Sequence, residues 1–320
     1  MPDDLIRLSD DPANNRYAWR VQREEREAFP HRHVWRSNMR RRVHGTAAAA
    51  KRLINRAEKV RRRFEDALDL GLTELRFSFP DLPPAFDGYR ILHLTDLHLD
   101  NIESTAALTA GLVSDLKADL CVLTGDIRDN IHAPTGPVIE RLGRVISSLK
   151  VADGVIGILG NHDSAAMVEP MEELGIRMLI NESMTLARDG ECIHLTGLDD
   201  VHMYHTDDAA RALAATPDGF AIALVHSPEI VEQASIRHRL YLCGHTHGGV
   251  FNLPGRGPMV TGLKRKNRRL ARGLWRHGEM VGYTNRGIGA SLVPSRLGTQ
   301  GEVGLITLHQ GPPETAVVPL

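Results

Sequence analysis

From Tyr89 onward, short apolar runs alternate with amphipathic stretches, and each run stops at a glycine or a polar residue. The pattern predicts strands over Arg90–Thr95, Leu120–Thr124 and Val155–Leu159, and helices over Thr105–Lys117, Pro137–Leu149 and Ser164–Leu174. Such β-rich runs, bounded by glycine and alternating with helices, imply βαβ units and buried parallel strands. The second half is richer in strands: Arg177–Ile180, Met184–Ala187, Cys192–Thr196, Ala221–Val225 and Leu240–Cys243, with a helix at Asp207–Ala215. Val281–Thr284 and Val303–Leu308 read as closing strands. The expected product is a layered α/β sandwich, two sheets face to face with helices outside.

The first 85 residues follow another pattern, rich in Arg and Glu. Leu53, Ala57, Val60, Phe64 and Leu68 recur at the spacing of a helical stripe, predicting a helix over Ala47–Leu70. Its opposite face carries Lys51, Arg52, Arg56, Lys59, Arg61, Arg62 and Arg63. Three readings compete: a solvated helix docked on the main domain, a helix lying on anionic lipid, and an arm for nucleic acid or a partner. Pro80, Pro83 and Pro84 punctuate the chain here. They set the expected division between an N-terminal Arg-rich, largely helical extension (1–85) and the main domain (86–320).

Composition changes this picture only a little. With 320 residues, 42% hydrophobic and 25% charged, the chain can bury a sizeable core without metal or disulfide staples. Net charge is −1, but His31 to Arg63 holds about 12 Lys or Arg against one acid, Glu58. The cysteines Cys121, Cys192 and Cys243 are odd in number and form no Cys-x-x-Cys pair. Cys121 and Cys243 fall inside apolar runs, so buried free thiols in a reducing compartment are the expectation. No apolar run nears the roughly 18 residues a membrane span needs, and Met1–Leu5 lacks the order of a signal peptide. A cytoplasmic protein follows, with peripheral contact at the inner face of the membrane as the further expectation.

Candidate chemistry lies where the apolar runs end. Asp96-Leu97-His98 follows the first, Gly125-Asp126-Ile127-Arg128-Asp129 the second, and Gly160-Asn161-His162-Asp163 the third. The run ending at Val225 leads into His226, and the one ending at Cys243 into Gly244-His245-Thr246-His247. Singly, each residue suits a turn, a cap or a satisfied histidine. His93, His132, His194, His202 and His205 keep that plain reading. Together, five strand ends deliver Asp, Asn and His to the place where open α/β sheets bind ligands.

In this order the five motifs resemble the signature of the calcineurin-like metallophosphoesterases, over roughly residues 88–309. Gly244-His245-Thr246-His247-Gly248-Gly249 and Arg286-Gly287-Ile288-Gly289 look like that superfamily's bacterial phosphodiesterase branch, which includes hydrolases of UDP-2,3-diacylglucosamine. The resemblance implies a four-layer α/β/β/α sandwich with two mixed sheets and a pair of divalent metal ions. Asp96, His98 and His247 would hold the first metal, Asn161, His226 and His245 the second, and Asp126 would bridge them. His162 matches the catalytic histidine beside the phosphoryl group. Asp129 matches the acid that orients it in some branches, with Asp163 the alternative.

Such chemistry suits these residue types. Two cations bind phosphate oxygens and acidify a water, and holding them close requires an anion between them, the part given to Asp126. Oxygen and nitrogen ligands without thiolate suit manganese first, with iron, zinc and cobalt as alternatives. Protein Ser/Thr phosphatases carry Gly-Asp-x-x-Asp-Arg-Gly and Gly-Asn-His-Glu, whereas here Asn130 follows Asp129 and Asp163 follows His162. Losing that arginine clamp disfavours a phosphoprotein substrate.

The basic stretch Lys264 to Arg276 reads either as a solvated loop or as a lip for anionic substrate or membrane headgroups, with Trp275 at the interface. The expected function is metal-dependent hydrolysis of a small or lipid-linked phosphodiester or pyrophosphate. A nuclease is the alternative within enzymes, nucleic acid being the less favoured partner. A non-catalytic scaffold on the same fold is the alternative from another class.

Overall fold

The computed structural model describes residues 12–28, 69–204, 206–249, 252–253, 257–258, 262–291 and 300–318. The first described element is α1 (Pro12–Ala28). Next come β1 (Leu70–Phe79), β2 (Arg90–Leu94), α2 (Thr105–Val113), β3 (Lys117–Ala118), β4 (Leu120–Thr124), α3 (Thr135–Ile146), β5 (Lys150–Val151) and β6 (Val155–Ile158). They are followed by α4 (Val168–Glu173), β7 (Ile176–Met178), β8 (Glu182–Arg188), β9 (Glu191–Gly197), α5 (Asp207–Ala214), β10 (Ala221–Leu224), α6 (Val231–Ala234) and β11 (Leu240–Cys243). Last are β12 (Asn252–Leu253), β13 (Gly257–Pro258), β14 (Gly273–His277), β15 (Met280–Thr284), β16 (Gly301–Gln310) and β17 (Glu314–Val318).

Two mixed sheets result. One is seven-stranded, in the order β17-β1-β16-β2-β4-β6-β7; the other is six-stranded, β14-β15-β11-β10-β9-β8. In the first, β2, β4, β6 and β7 run parallel; in the second, β9, β10, β11 and β15 do. Side chains alternate across each strand, because successive Cβ atoms point to opposite faces. Leu120 and Val122 of β4 join Ile222 and Leu224 of β10 and Leu240 and Leu242 of β11 in one core between the sheets. Their neighbours Cys121 and Leu123 face Val138, Leu142 and Val145 of α3. Ala223, Tyr241 and Cys243 face Ala209 and Leu213 of α5 and Val231 and Ala234 of α6. This is the four-layer α/β/β/α sandwich. Each fully buried Leu, Ile or Val contributes about 1.5–3 kcal/mol relative to exposure.

Two departures from the sequence reading concern the ends of this frame. β1 pairs in parallel with β16 from Leu70–Gly301 to Phe79–Gln310 and antiparallel with β17. Leu75, Phe77 and Phe79 point into the core, so residues 70–79 belong to the sheet and not to a helical extension ending near 85. The helix expected over Ala47–Leu70 lies, apart from its last two positions, outside the described residues. Trp275, placed at an interface by the lip reading of the basic stretch, is instead buried in β14, packed on Tyr241 with its indole N–H donating to Thr284 Oγ1 at 2.9 Å.

No helix among the described residues is long and apolar enough to cross a membrane.

Candidate metal centre

The carboxyl ends of β2, β4 and β6 in one sheet, and of β10 and β11 in the other, open onto the same place. The loops leaving them carry Asp96 and His98, Asp126 to Asp129, Asn161 to Asp163, His226, and His245 to His247. The backbone is bent hard to achieve this. Of the seven non-glycine residues with positive φ among the described residues, five are Asp96, His98, Asp126, His245 and His247. Each left-handed L-residue costs on the order of 1–3 kcal/mol and persists only where its surroundings over-determine it. Two glycines make the close approach feasible: a Cβ on Gly160 would collide with the Asp126 carboxylate, and one on Gly244 with Asp96 and Thr95.

The side chains gather into two adjoining clusters, Asp96–His98–His247 and Asp126–His226–His245. In the first, His98 Nε2 lies 3.1 Å from His247 Nε2, and His247 Nε2 lies 3.4 Å from Asp96 Oδ1. In the second, His226 Nε2 lies 3.2 Å from Asp126 Oδ2, 3.2 Å from Asn161 Oδ1 and 3.3 Å from His245 Nδ1. The clusters meet at Asp126, whose Oδ2 is also 3.9 Å from His98 Nε2. Its other oxygen accepts the His162 backbone N–H at 2.9 Å.

Ring orientations are set from behind. His98 Nδ1 donates to the Arg128 carbonyl at 3.0 Å, and His226 Nδ1 donates to the Thr124 carbonyl at 2.8 Å. Each bond occupies Nδ1 and turns Nε2 toward the centre. Asp96 accepts the Thr95 hydroxyl and the His245 N–H, and the Gly289 N–H bonds its carbonyl at 2.8 Å. The Arg286–Gly289 stretch therefore braces the first loop. The Asp163 carboxylate, wholly buried, accepts the N–H groups of Asp126, Ile127 and Gly160, tying the second loop to the third.

The electrostatics match a site for positive charge. Burial pushes the Asp126 carboxyl up, but the His226 and His162 imidazoles outweigh this and hold it well below the usual range. Burial pushes His226 down, yet the Asp126 carboxylate lifts it to about 10, which places on Nε2 a proton that a bound cation would displace. Burial, with His202 and His226 nearby, keeps His245 well below the ordinary histidine value and so neutral. Lone pairs of imidazole, amide and carboxylate crowd within 3.1–3.4 Å of one another, an arrangement that cations between them would stabilise. The donor set fits divalent metals taking mixed nitrogen and oxygen ligands.

All seven residues expected as ligands come together here. His162 stands beside them, its ring centroid 5.3 Å from that of His98. Its Nδ1 donates to the Asp129 backbone carbonyl, while the Asp129 carboxylate accepts the Ser291 hydroxyl at 3.0 Å. Asp129 thus holds His162 through its backbone carbonyl, while its carboxylate adds negative charge nearby. Burial lowers the His162 pKa, but the charges of Asp126 and Asp129 outweigh it and raise the group above the ordinary value.

One residue of the site escaped the sequence reading. His202, given the plain role, lies with its ring centroid 4.4 Å from that of His245 and its Nδ1 2.9 Å from Glu229 Oε2. The available signal was a sixth strand end, β9, followed by Asp199-Asp200-Val201-His202.

The calcineurin-like phosphoesterase family model matches residues 89–249. The chain is 30% identical over 241 residues to the uncharacterized metallophosphoesterase YkuE of Bacillus subtilis, covering 71% of this chain and 81% of that protein. It is 27% identical over 230 residues to the phosphodiesterase YaeI of Escherichia coli, covering 69% and 82%. It is 25% identical over 285 residues to the UDP-2,3-diacylglucosamine pyrophosphatase LpxG of Chlamydia trachomatis, covering 69% and 84%. With five strand-end motifs meeting in one centre and the match extending across most of the sandwich, the chain belongs to the calcineurin-like phosphoesterase family and is a phosphoric ester hydrolase.

Proposed function

We propose that the chain hydrolyses a phosphodiester or pyrophosphate bond at a two-cation centre. The observation that carries this reading is the position of Asp126 Oδ2, within 3.2 Å of His226 Nε2 and 3.9 Å of His98 Nε2. One anion shared between two clusters is what a pair of cations requires. In this reading Asp96, His98 and His247 would hold one cation and Asn161, His226 and His245 the other, with Asp126 available to both. When bound, the cations supply Lewis acidity toward phosphate oxygens and lower the pKa of water, manganese being the first choice.

The protein's own residues do the rest. The Nδ1 of His162 is held by the Asp129 carbonyl, which leaves Nε2 to meet the substrate. A protonated His162 then donates to the departing oxygen, help worth about 10²–10⁴-fold. Asp163 holds the loops of Asp126 and Asn161 at fixed separation through its three short backbone bonds. His202, braced by Glu229, packs on His245 and fixes the plane of that ring.

The names of YaeI and LpxG support a diester or pyrophosphate over a monoester, with a nucleotide- or lipid-linked substrate as the narrower choice. A nuclease is the second reading, and the exposed basic row from Lys264 to Arg276 is the observation that favours it. The same row would make any contact with an anionic membrane surface. Metal-depleted protein is expected to be inactive on bis(p-nitrophenyl) phosphate and to regain turnover with Mn²⁺; no rescue by any divalent metal would contradict the reading. UDP-diacylglucosamine compared with single-stranded DNA, in the same metal and salt, separates the two substrate classes.

A further inference from the structure

Helix α1 does not dock through an apolar stripe. Arg16, Trp19, Arg20, Arg23, Arg26 and Glu27, spaced at three and four residues, make up its contact face, and every one bonds to the sandwich. Arg23 is 1% exposed, the most deeply buried of them. One of its terminal nitrogens, Nη2, donates to the carbonyls of Gly160 at 3.0 Å and Asp163 at 2.8 Å. These two carbonyls bracket Asn161 and His162.

The rest of the guanidinium is fixed with equal care. Nη1 donates to Asp199 Oδ1, Nε donates to Glu27 Oε1 at 3.1 Å, and the Tyr204 ring lies 3.6 Å from Cζ. Trp19 holds the second oxygen of Asp199 at 2.8 Å. Glu27 accepts the Ala165 N–H at 2.9 Å, just past the same loop. Helix α1 therefore grips the loop after β6 and the one after β9, which lead to Asn161 and His162 on one side and His202 on the other.

We infer that Arg23 is a positioning residue of the active centre: through the two bracketing carbonyls, α1 holds Asn161 and His162 in working geometry. This rests on the two-cation reading for the roles of those two side chains. A planar fork can span Asp199 and both carbonyls at once, whereas an ammonium cannot do so with the same geometry. Displacing a catalytic group by about 1 Å can cost on the order of 10²-fold in rate, so the helix sets turnover without touching substrate.

The test separates positioning from stability. Arg23→Met alone would strand the Asp199 charge in the interior, so the variant to make is Arg23→Met with Asp199→Asn, which keeps an acceptor for Trp19. In the full-length Mn²⁺-loaded protein, this pair should retain a cooperative melt near that of wild type. Its kcat on bis(p-nitrophenyl) phosphate should fall about 10–100-fold with KM little changed. One of the two Mn²⁺ equivalents should bind more weakly by calorimetric titration. Arg23→Lys, which restores charge but not the fork, should stay impaired. Wild-type kcat in either variant would overturn the inference. Should wild type itself fail to turn over, the functional reading falls, and the Mn²⁺ titration still decides: unaltered affinities in the paired variant overturn the positioning role.

Discussion

At the scale of single residues, the site is defined by acceptors that face inward and donors that face out. His98 and His226 spend their Nδ1 protons on backbone carbonyls, so the nitrogens left over point at Asp126 and Asp96. His162 differs, being half-buried and beside both clusters but a ligand in neither. That difference yields a prediction. His162→Ala should keep both metal equivalents and lose about 10²–10⁴-fold in kcat, as read by steady-state kinetics and metal analysis on one preparation. Unchanged turnover would remove His162 from the chemistry. The sequence made these residues legible because Asp, Asn and His each stood directly after an apolar run. It left the partner of His162 undecided, because a backbone carbonyl leaves no mark in residue identity.

At the scale of elements, legibility follows the source of the burial. Strands β2, β4, β6, β10 and β11 could be read from apolar runs ended by polar or glycine residues, and the structure has them at nearly the expected limits. Helix α1 lies within the expected helical extension, but its limits could not be read this way, because its contact face is mostly arginine bonded to carbonyls and carboxylates, with Trp19 packed among them. Strand β1 carries Leu75, Phe77 and Phe79 in clean alternation, but Arg-rich sequence before it and prolines after it masked the signal. Its place in the core is testable. Phe77 is fully buried between the sheets, so Phe77→Ala should destabilise the whole sandwich by about 3–5 kcal/mol in denaturant unfolding. A loss below about 0.5 kcal/mol, typical of an exposed position, would contradict that packing.

At the scale of the whole molecule, the two sheets serve to bring loops from distant parts of the chain to one edge. Asp96 and His247 are 151 positions apart in sequence, yet their ligand atoms lie 3.4 Å apart. The segment after the last motif is tied to the same edge: Asn267 donates to the Pro228 carbonyl and the Thr246 hydroxyl to that of Ala271. Lys264, Arg265, Lys266, Arg268, Arg269 and Arg272 remain exposed there. A row of cations beside the centre should draw in anionic substrate. Arg268→Glu with Arg269→Glu is therefore expected to lower kcat/KM at low salt, and the deficit should shrink at high salt, where charges are screened. Equal kcat/KM at low salt would dismiss the row as a recruiting surface.

The central claim is that one carboxylate serves two cations, and counting the cations tests it most directly. Wild-type protein and Asp126→Asn are loaded with Mn²⁺, passed through gel filtration, and assayed for metal per chain by mass spectrometry. The account predicts two equivalents for wild type and a loss at both positions in the variant. Two full equivalents retained by Asp126→Asn would contradict it.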